Sequence, residues 1–178
     1  MFEAIADIAV TTSKPVLKNE YKGKLIYIQD GGGKSLIKKY NPDVVDSDEI
    51  LKEIVGKYVT EGDKTFDRVP QEYRGQAMDE YNAKIRAAHN AGKTVLTANI
   101  QMLPEADVVI YNNSATDTIN RTNDEARDNR FRGEDRAKKR TEEVNKFLEE
   151  HPDVESHKLS PGQYASDILT TQPKKPAL

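Results

Sequence analysis

Residues 24–40 read KLIYIQDGGGKSLIKKY, and this stretch determines how the rest of the chain is interpreted. It opens with a short apolar run, residues 24–28, of the kind that forms a buried strand. Three consecutive glycines and the pair Lys34-Ser35 come next, and the LIKKY that follows is typical of a helix that ends before Pro42. The sequence therefore predicts a strand, a glycine-rich turn and a helix in succession.

The same alternation of short apolar runs and helical segments continues along the chain. Further strands are predicted at 44–45, 94–100, 107–113 and 154–158. Helices are predicted at 50–59, from Pro70 to Gly92, over most of 114–151 with a break near Gly133, and at the end of 160–169. This order predicts an α/β fold with a mostly parallel, five-stranded sheet, as one domain over residues 1–170 with a flexible tail at 171–178.

Composition excludes several classes of function. The 178 residues include 27 Lys and Arg and 30 Asp and Glu, so the net charge is −3 and no overall basic footprint for nucleic acid exists. With no Cys and three His, the chain has no thiolate nucleophile, no disulfides and no Cys-based metal site. No apolar run approaches the roughly 20 residues of a membrane helix, and the acidic N-terminus MFEAIADIAV does not resemble a signal peptide. We expect a soluble, cytoplasmic protein without a membrane partner.

The glycine-rich turn has the chemistry of an anion-binding loop. Glycines without a Cβ let backbone N–H groups approach an anion closely, and the following helix N-terminus favours negative charge. In this interpretation Lys34 reaches the outer phosphates of a nucleotide and the Ser35 hydroxyl binds Mg²⁺. The predicted nucleotide-binding residues here are Asp30, Gly31, Gly32, Gly33, Lys34 and Ser35. The alternative is a glycine-rich turn with a chance Lys-Ser pair.

GGGKS between a strand and a helix resembles the P-loop of nucleoside-triphosphate-binding proteins. The resemblance implies ATP and Mg²⁺ as ligands. The usual pattern has a glycine six positions before the lysine, where this chain has Ile28. The turn must then form around Asp30 and Gly31, and Asp30 brings a negative charge near the expected phosphates.

A second motif, Asp46-Ser47-Asp48, stands at the end of the second predicted strand and makes the resemblance more specific. An Asp-x-Asp pair at this place is similar to that of small P-loop kinases of the shikimate and gluconate kinase type, which share their framework with nucleoside monophosphate kinases. The resemblance implies a three-layer fold, Asp46 near Mg²⁺ through water, and Asp48 orienting or deprotonating the acceptor. The alternative is that Ser47 or Asp48 only caps the next helix.

The third motif is an arginine-rich helical stretch. It contains Arg121, Arg127, Arg130, Arg132, Arg136 and Arg140. In the kinases that this chain resembles, a helical lid, here about 114–150, carries arginines that close over the transferring phosphate. Arg132 and Arg136 are the catalytic candidates. The alternative is a solvated face, because acidic residues such as Glu134 and Glu143 are interspersed.

The remaining candidates concern the two substrates. Arg68, Arg74, Asn99 and Gln101 are candidates for the acceptor, because the resembling kinases bind it after the second and third strands. Asn99 stands where the strand-end Asp of a second nucleotide-binding motif would be. The resemblance also implies that the loop with Pro161 and Gly162 contacts the adenine base.

Three functions remain open from the sequence. The leading one is transfer of the ATP γ-phosphoryl group to a small acceptor, preferably a nucleoside or deoxynucleoside monophosphate. The compact size and divergent loop also resemble virus-encoded (phage) nucleotide kinases, which would place the protein in the host cytoplasm. The alternatives are a kinase that acts on a hydroxylated base in DNA, through the basic run 136–140, and a non-catalytic nucleotide-binding module.

Overall fold

The computed structural model describes residues 14–122 and 130–171, with the backbone only for 130–133. The strands are β1 Val16–Leu17, β2 Leu25–Ile28, β3 Val45–Asp46, β4 Val95–Thr97, β5 Val108–Asn112, β6 Glu155–Leu159 and β7 Thr170–Thr171. The helices are α1 Lys34–Tyr40, α2 Ser47–Val55, α3 Gln71–Asn90, α4 Ala115–Thr122, α5 Arg130–Glu150 and α6 Ala165–Leu169. Three 3₁₀ turns also occur, at Asn19–Tyr21, Phe66–Arg68 and Ile100–Glu105.

Five strands form one wholly parallel sheet in the order β3-β4-β2-β5-β6. The predicted α/β class and the five-stranded parallel sheet are therefore confirmed. After β2, the next two strands along the chain, β3 and β4, lie on one side of it. The chain then crosses over, and β5 and β6 lie on the other side. Ligands of open α/β sheets bind beyond the carboxyl ends of the strands at such a switch point, and the glycine-rich turn follows β2 directly.

Alternate side chains of β2 enter different cores. Ile26 and Ile28 belong to a cluster that α1 and α6 cover. Leu25 belongs to a cluster with α2 and α3, and Tyr27 to one with α5. Because successive residues of a strand face opposite sides, the helices divide into one layer of α1 and α6 and another of α2, α3 and α5. The sheet is the middle of three layers.

Several details differ from the sequence prediction. The strand predicted at 94–100 spans only Val95–Thr97, and the helix predicted at 50–59 is Ser47–Val55. The predicted helix break near Gly133 is wrong, because α5 continues through it. One glycine costs only about 1 kcal/mol in a helix interior, and α5 is held further along by buried Val144 and Phe147. Thr171, which we placed in the tail, pairs with Val16 in a small antiparallel sheet of β1 and β7, while residues 172–178 lie outside the described residues.

The length and hydropathy of the helices decide whether any of them could cross a membrane. Of the helices in residues 14–122 and 130–171, none has the length and apolar character needed to cross a bilayer.

Candidate functional site

The glycine-rich turn leaves β2 as a tight bend. The carbonyl of Gln29 accepts a hydrogen bond from the N–H of Gly32 at 3.0 Å, so the chain turns over Asp30 and Gly31, as predicted. Gly31 has φ 82° and Gly33 has φ 93°, both in the left-handed region that favours glycine. Gly33 is the N-cap of α1, so the loop passes directly into the helix that carries Lys34.

Three successive carbonyls of this loop are bonded to fixed donors. Asp30 accepts from Nδ2 of Asn112 at 2.9 Å, and Gly31 accepts from Arg121 at 3.3 Å. Gly32 accepts from the N–H of Ala165 at 2.8 Å. The donors come from β5, α4 and α6. The loop is thus held by three separate elements of the fold.

This bonding decides where the loop N–H groups point. In a trans peptide unit the C=O and the N–H point in opposite directions. Because the carbonyls of Asp30 and Gly32 face their donors, the N–H groups of Gly31 and Gly33 face the other way. Neither N–H has a hydrogen-bond acceptor among the described residues. Loop N–H groups without a protein acceptor are available to bind anions.

Lys34 and Asp48 meet beside the loop. Nζ of Lys34 lies 3.5 Å from Oδ2 of Asp48, and the lysine side chain is 11% exposed. Lys34 begins α1 and Asp48 lies in the first turn of α2, so both project from the carboxyl edge of the sheet. The structure therefore brings together two residues that the sequence analysis assigned to one site.

Asp46 caps α2. Its Oδ1 accepts a hydrogen bond from the N–H of Asp48 at 2.9 Å. The alternative that Ser47 or Asp48 is the cap is therefore wrong. Asp46 is buried, and this burial raises the pKa of its carboxyl group, although the N–H of Asp48 and the charge of Lys34 act to lower it. A nearby cation would relieve the cost of ionising this carboxylate.

A chain of buried hydroxyl groups anchors the Asp46–Asp48 segment. Tyr81 on α3 donates to Oγ of Ser47 at 2.9 Å, and Ser47 contacts Oγ1 of Thr97 on β4 at the same distance. Burial raises the pKa of Tyr81 to about 12, so its hydroxyl stays protonated. Sequence reasoning missed Tyr81, which lies within a long helix far from any motif along the chain. It also missed Thr97, which reads as an ordinary residue of its predicted strand.

We expect Tyr81→Phe to lower the free energy of unfolding by about 1 kcal/mol, the typical net worth of one intramolecular hydrogen bond. The ring stays in place, so the change isolates the bond to Ser47. Urea denaturation of both proteins measures it. Tyr73→Phe is the control, because Tyr73 is exposed and stacks on Tyr58 through its ring. Equal stability of Tyr81→Phe and wild type would show that the hydroxyl chain anchors nothing.

Asn99 belongs to a row of carboxamides after β4. Its Nδ2 donates to Oδ1 of Asn82 at 2.7 Å, and its Oδ1 accepts from the N–H of Gln101 at 3.1 Å. Asn82 in turn donates to Oε1 of Gln101 at 2.8 Å. The two acceptor candidates Asn99 and Gln101 are thus adjacent, because the side chain of Asn99 bonds to the N–H of Gln101 and both side chains bond to Asn82 on α3.

Arg68 and Arg74 hold the segment between α2 and α3. Arg74 donates to the carbonyl of Val69 at 2.9 Å and to the carbonyl of Asp67 at 2.6 Å. Arg68 donates to the carbonyl of Asp63 at 3.4 Å. Their contacts are therefore structural. The assignment of these two arginines to an acceptor stays a prediction.

Besides the bond from Arg121 to Gly31, the arginine-rich stretch contacts the loop through Arg136. Nη2 of Arg136 lies 3.9 Å from Oδ2 of Asp30, and the arginine side chain is 70% exposed. Arg140 instead pairs with Glu143 on its own helix at 3.2 Å. The side chain of Arg132 and the segment 123–129 lie outside the described residues. Arg136 is thus the lid candidate that the structure brings near the loop.

The turn with Pro161 and Gly162 lies against the same loop. It closes through the N–H of Gln163, which donates to the carbonyl of Ser160 at 2.9 Å, and Gly162 has φ 82°. Arg121 links this turn to Gly31, as its hydrogen bonds to the Ser160 and Gln163 carbonyls show. The predicted adenine loop and the predicted phosphate loop are therefore neighbours.

A magnesium ion fits the donors at this edge of the sheet. Ser35 is exposed in the first turn of α1, and Asp46 provides a carboxylate at the start of α2. Mg²⁺ in nucleotide sites takes one or two carboxylates, with phosphate oxygens and water completing its shell. In the part of the chain that the structure describes, no three His, Asp or Glu side chains form a metal cluster by themselves.

Comparisons with known proteins find no match to this chain. No protein-family model matches the chain, and no curated protein or solved structure matches it.

We expect Gly31→Ala to destabilise the protein by about 1–3 kcal/mol, because the residue has a positive φ of 82° and a Cβ would come within 2.6 Å of Cβ of Arg121. Gly75→Ala is the matched control. Gly75 is exposed within α3 and a Cβ there meets nothing within 4 Å, so we expect a gain of about 0.5–1 kcal/mol. Thermal unfolding of both variants measures the opposite signs, and loss of stability in both would contradict the account of the loop.

Proposed function

We propose that this protein is a small phosphotransferase of the P-loop kinase type, which moves the γ-phosphoryl group of ATP to a small acceptor. The observation that carries the proposal is the contact of Lys34 with Asp48, at 3.5 Å, next to a glycine loop in which the N–H groups of Gly31 and Gly33 have no acceptor among the described residues. These groups stand at the switch point of a parallel sheet. The acceptor that we favour is a nucleoside or deoxynucleoside monophosphate.

The chain's own groups have distinct roles in this proposal. The N–H groups of Gly31 and Gly33 and the ammonium of Lys34 bind the β- and γ-phosphates of ATP. Fixed donors aimed at developing charge stabilise the transition state, because they need no reorganisation during the reaction. Asp48 orients the acceptor, and Arg136 adds positive charge when it leaves Asp30 for the phosphates. Phosphoryl transfer depends more on such alignment and charge compensation than on a strong base.

The reaction needs no reactant other than ATP and the acceptor. An oxygen of the acceptor forms a bond to the γ-phosphorus, and the bond from that phosphorus to the β–γ bridging oxygen breaks. ADP leaves with that bonding electron pair. Where the acceptor is an alcohol, its proton passes to the carboxylate of Asp48; a phosphate acceptor has no proton to lose.

Ser35 and Asp46 would hold Mg²⁺ in this scheme. The bound ion would neutralise phosphate charge. Asp46 supports its own position by capping α2, so its carboxylate is fixed before the nucleotide binds. The raised pKa of Asp46 supports the assignment, because buried carboxylates with a perturbed pKa are concentrated at functional sites.

A phosphoryl-transfer screen with Mg-ATP tests the proposal. The acceptors are nucleoside and deoxynucleoside monophosphates, small hydroxyl metabolites, and duplex DNA with and without hydroxymethylated bases. Saturable transfer to a monophosphate is the expected result. Transfer only to hydroxymethylated DNA, with a steep dependence on salt, would instead favour the kinase that acts on DNA, for which the exposed Arg136, Lys138 and Lys139 are the candidate backbone contacts. Binding of ATP without transfer to any acceptor would identify a non-catalytic nucleotide-binding module.

A further inference from the structure

The guanidinium group of Arg121 joins segments that are distant in sequence. It lies near the end of α4, and its Nη1 donates to the carbonyl of Gly31 at 3.3 Å. Its Nη2 donates to the carbonyls of Ser160 and Gln163, at 2.9 and 2.7 Å. The glycine loop and the turn after β6 therefore share one cation.

This cation is buried and paired. The side chain of Arg121 is 5% exposed, and its Nε donates to Oδ2 of Asp117 at 2.9 Å, whose side chain is 9% exposed. The guanidinium also lies 5.2 Å from the ring centroid of Tyr164. A buried charge is tolerated when it is paired and its hydrogen bonds are satisfied. All three guanidinium nitrogens of Arg121 are bonded within the protein, so its role is to hold these segments together.

We propose that Arg121 is a positioning residue of the glycine loop, in addition to the bonds from Asn112 and Ala165. Its fork bonds the carbonyl of Gly31, whose peptide unit lies between the two units with free N–H groups, and ties it to the 160–163 turn. The loop therefore has its phosphate-binding conformation before the nucleotide arrives. The inference rests on the proposed function, because the loop must bind phosphate for its position to matter. Arg121 acts through Gly31 and not by contact with the phosphates.

Loss of this contact has a calculable consequence. Glycine-rich backbone has many accessible conformations, so a loop without its clamp spends less time in the competent one. The apparent dissociation constant equals the intrinsic constant divided by the competent fraction. If that fraction falls to about a tenth, the Kd for nucleotide rises about tenfold, while kcat at saturating ATP stays the same. Lysine cannot replace the arginine, because one ammonium group lacks the fork that reaches three carbonyls.

Titration of the full chain with Mg-ATP by calorimetry tests the inference, together with KM and kcat. Wild type, Arg121→Lys and Arg121→Gln are compared. We expect Kd and KM for ATP to rise about tenfold or more in both variants, with kcat within about twofold of wild type. Amide hydrogen exchange at Gly32, whose N–H donates to the carbonyl of Gln29, is measured without nucleotide and is expected to become faster. This second readout does not depend on catalysis.

Ile85→Ala is the control for general destabilisation. Ile85 is fully buried on α3, in the core on the other face of the sheet from α1, so its truncation leaves a cavity away from the loop. An unchanged Kd in that variant is expected. If Arg121→Lys binds as wild type does, or if Ile85→Ala weakens binding as much, Arg121 does not position the loop. If Arg121→Gln fails to fold, Arg121→Lys and Asp117→Asn carry the same comparison.

The failure of the inference and of the proposed function are distinguishable. Absence of Mg-ATP binding by wild type overturns the proposed function, and the inference with it. Wild-type binding with unaffected Arg121 variants overturns the inference only.

Discussion

Lys34→Ala is expected to lower phosphoryl transfer from ATP by at least about 10²–10³-fold, the usual effect of removing one preorganised donor to a transition-state charge. The fold should remain intact. Lys34 contacts Asp48 at 3.5 Å, but the Asp48 side chain is 52% exposed, so water replaces the lost partner. Exposed pairs of this kind contribute no more than about 1 kcal/mol to stability.

Lys39→Ala is the matched control for this variant. Lys39 lies on the same helix but faces solvent, with its ammonium 5.4 Å from the ring centroid of Tyr40. Turnover rates and thermal unfolding of the two variants provide the comparison. If Lys34→Ala transfers the phosphoryl group at the wild-type rate, the result contradicts the assignment of the glycine loop to the phosphates of ATP.

Asp46→Asn is expected to abolish Mg²⁺-dependent transfer while leaving the protein at least as stable as wild type at neutral pH. Asparagine caps helices as well as aspartate does, so the bond to the N–H of Asp48 is kept. The buried charge is removed, and with it the cost of desolvation. Asp46→Ala instead loses the cap and should cost about 1 kcal/mol of stability.

The pH dependence of stability separates the cost of burying the Asp46 charge from the gain of its capping bond. Burial raises the pKa of Asp46 in the folded state above its usual value, so the folded protein holds this proton more tightly than the unfolded chain does. The contribution of Asp46 to stability is therefore greatest below the usual carboxyl pKa and is lost as the pH rises through the raised value. The stability of Asp46→Asn relative to wild type should be higher at about pH 7 than at about pH 3.

Chemical denaturation at the two pH values measures this difference. The same relative stability at both would mean that Asp46 carries no desolvation cost. Full Mg²⁺-dependent activity in Asp46→Asn would remove Asp46 from the metal site.

The sheet was predictable because its strands are short apolar runs with clear ends. The run at 24–28 became β2 and the stretch 107–113 contains β5, since each has turn or polar residues at its borders. The small sheet of β1 and β7 was not predictable, because it pairs Val16 with Thr171, and nothing local in two-residue strands specifies a partner so distant. Gly133 misled the helix prediction, since packing further along α5 decides its continuity.

The site was predictable where motifs follow strands. Lys34 and Asp48 come soon after β2 and β3, and parallel strands bring their carboxyl ends to one edge. Arg121 was grouped with the other arginines of its stretch, although its spacing of four from Asp117 is that of a helical ion pair. Asn112 and Tyr81 gave no signal, because their partners Asp30 and Ser47 are contacts of the folded chain only.

The most direct test of the central claim is an NMR titration of the ¹⁵N-labelled protein with Mg-ATP, following the backbone amides. The account predicts saturable shifts that are largest at Gly31, Gly33 and Lys34, because the N–H groups of the two glycines are free of protein acceptors among the described residues. Smaller shifts should reach Ser160 and Gln163 through Arg121. No saturable change, or a change that leaves the glycine loop unaffected, would contradict a phosphate-binding role for this loop.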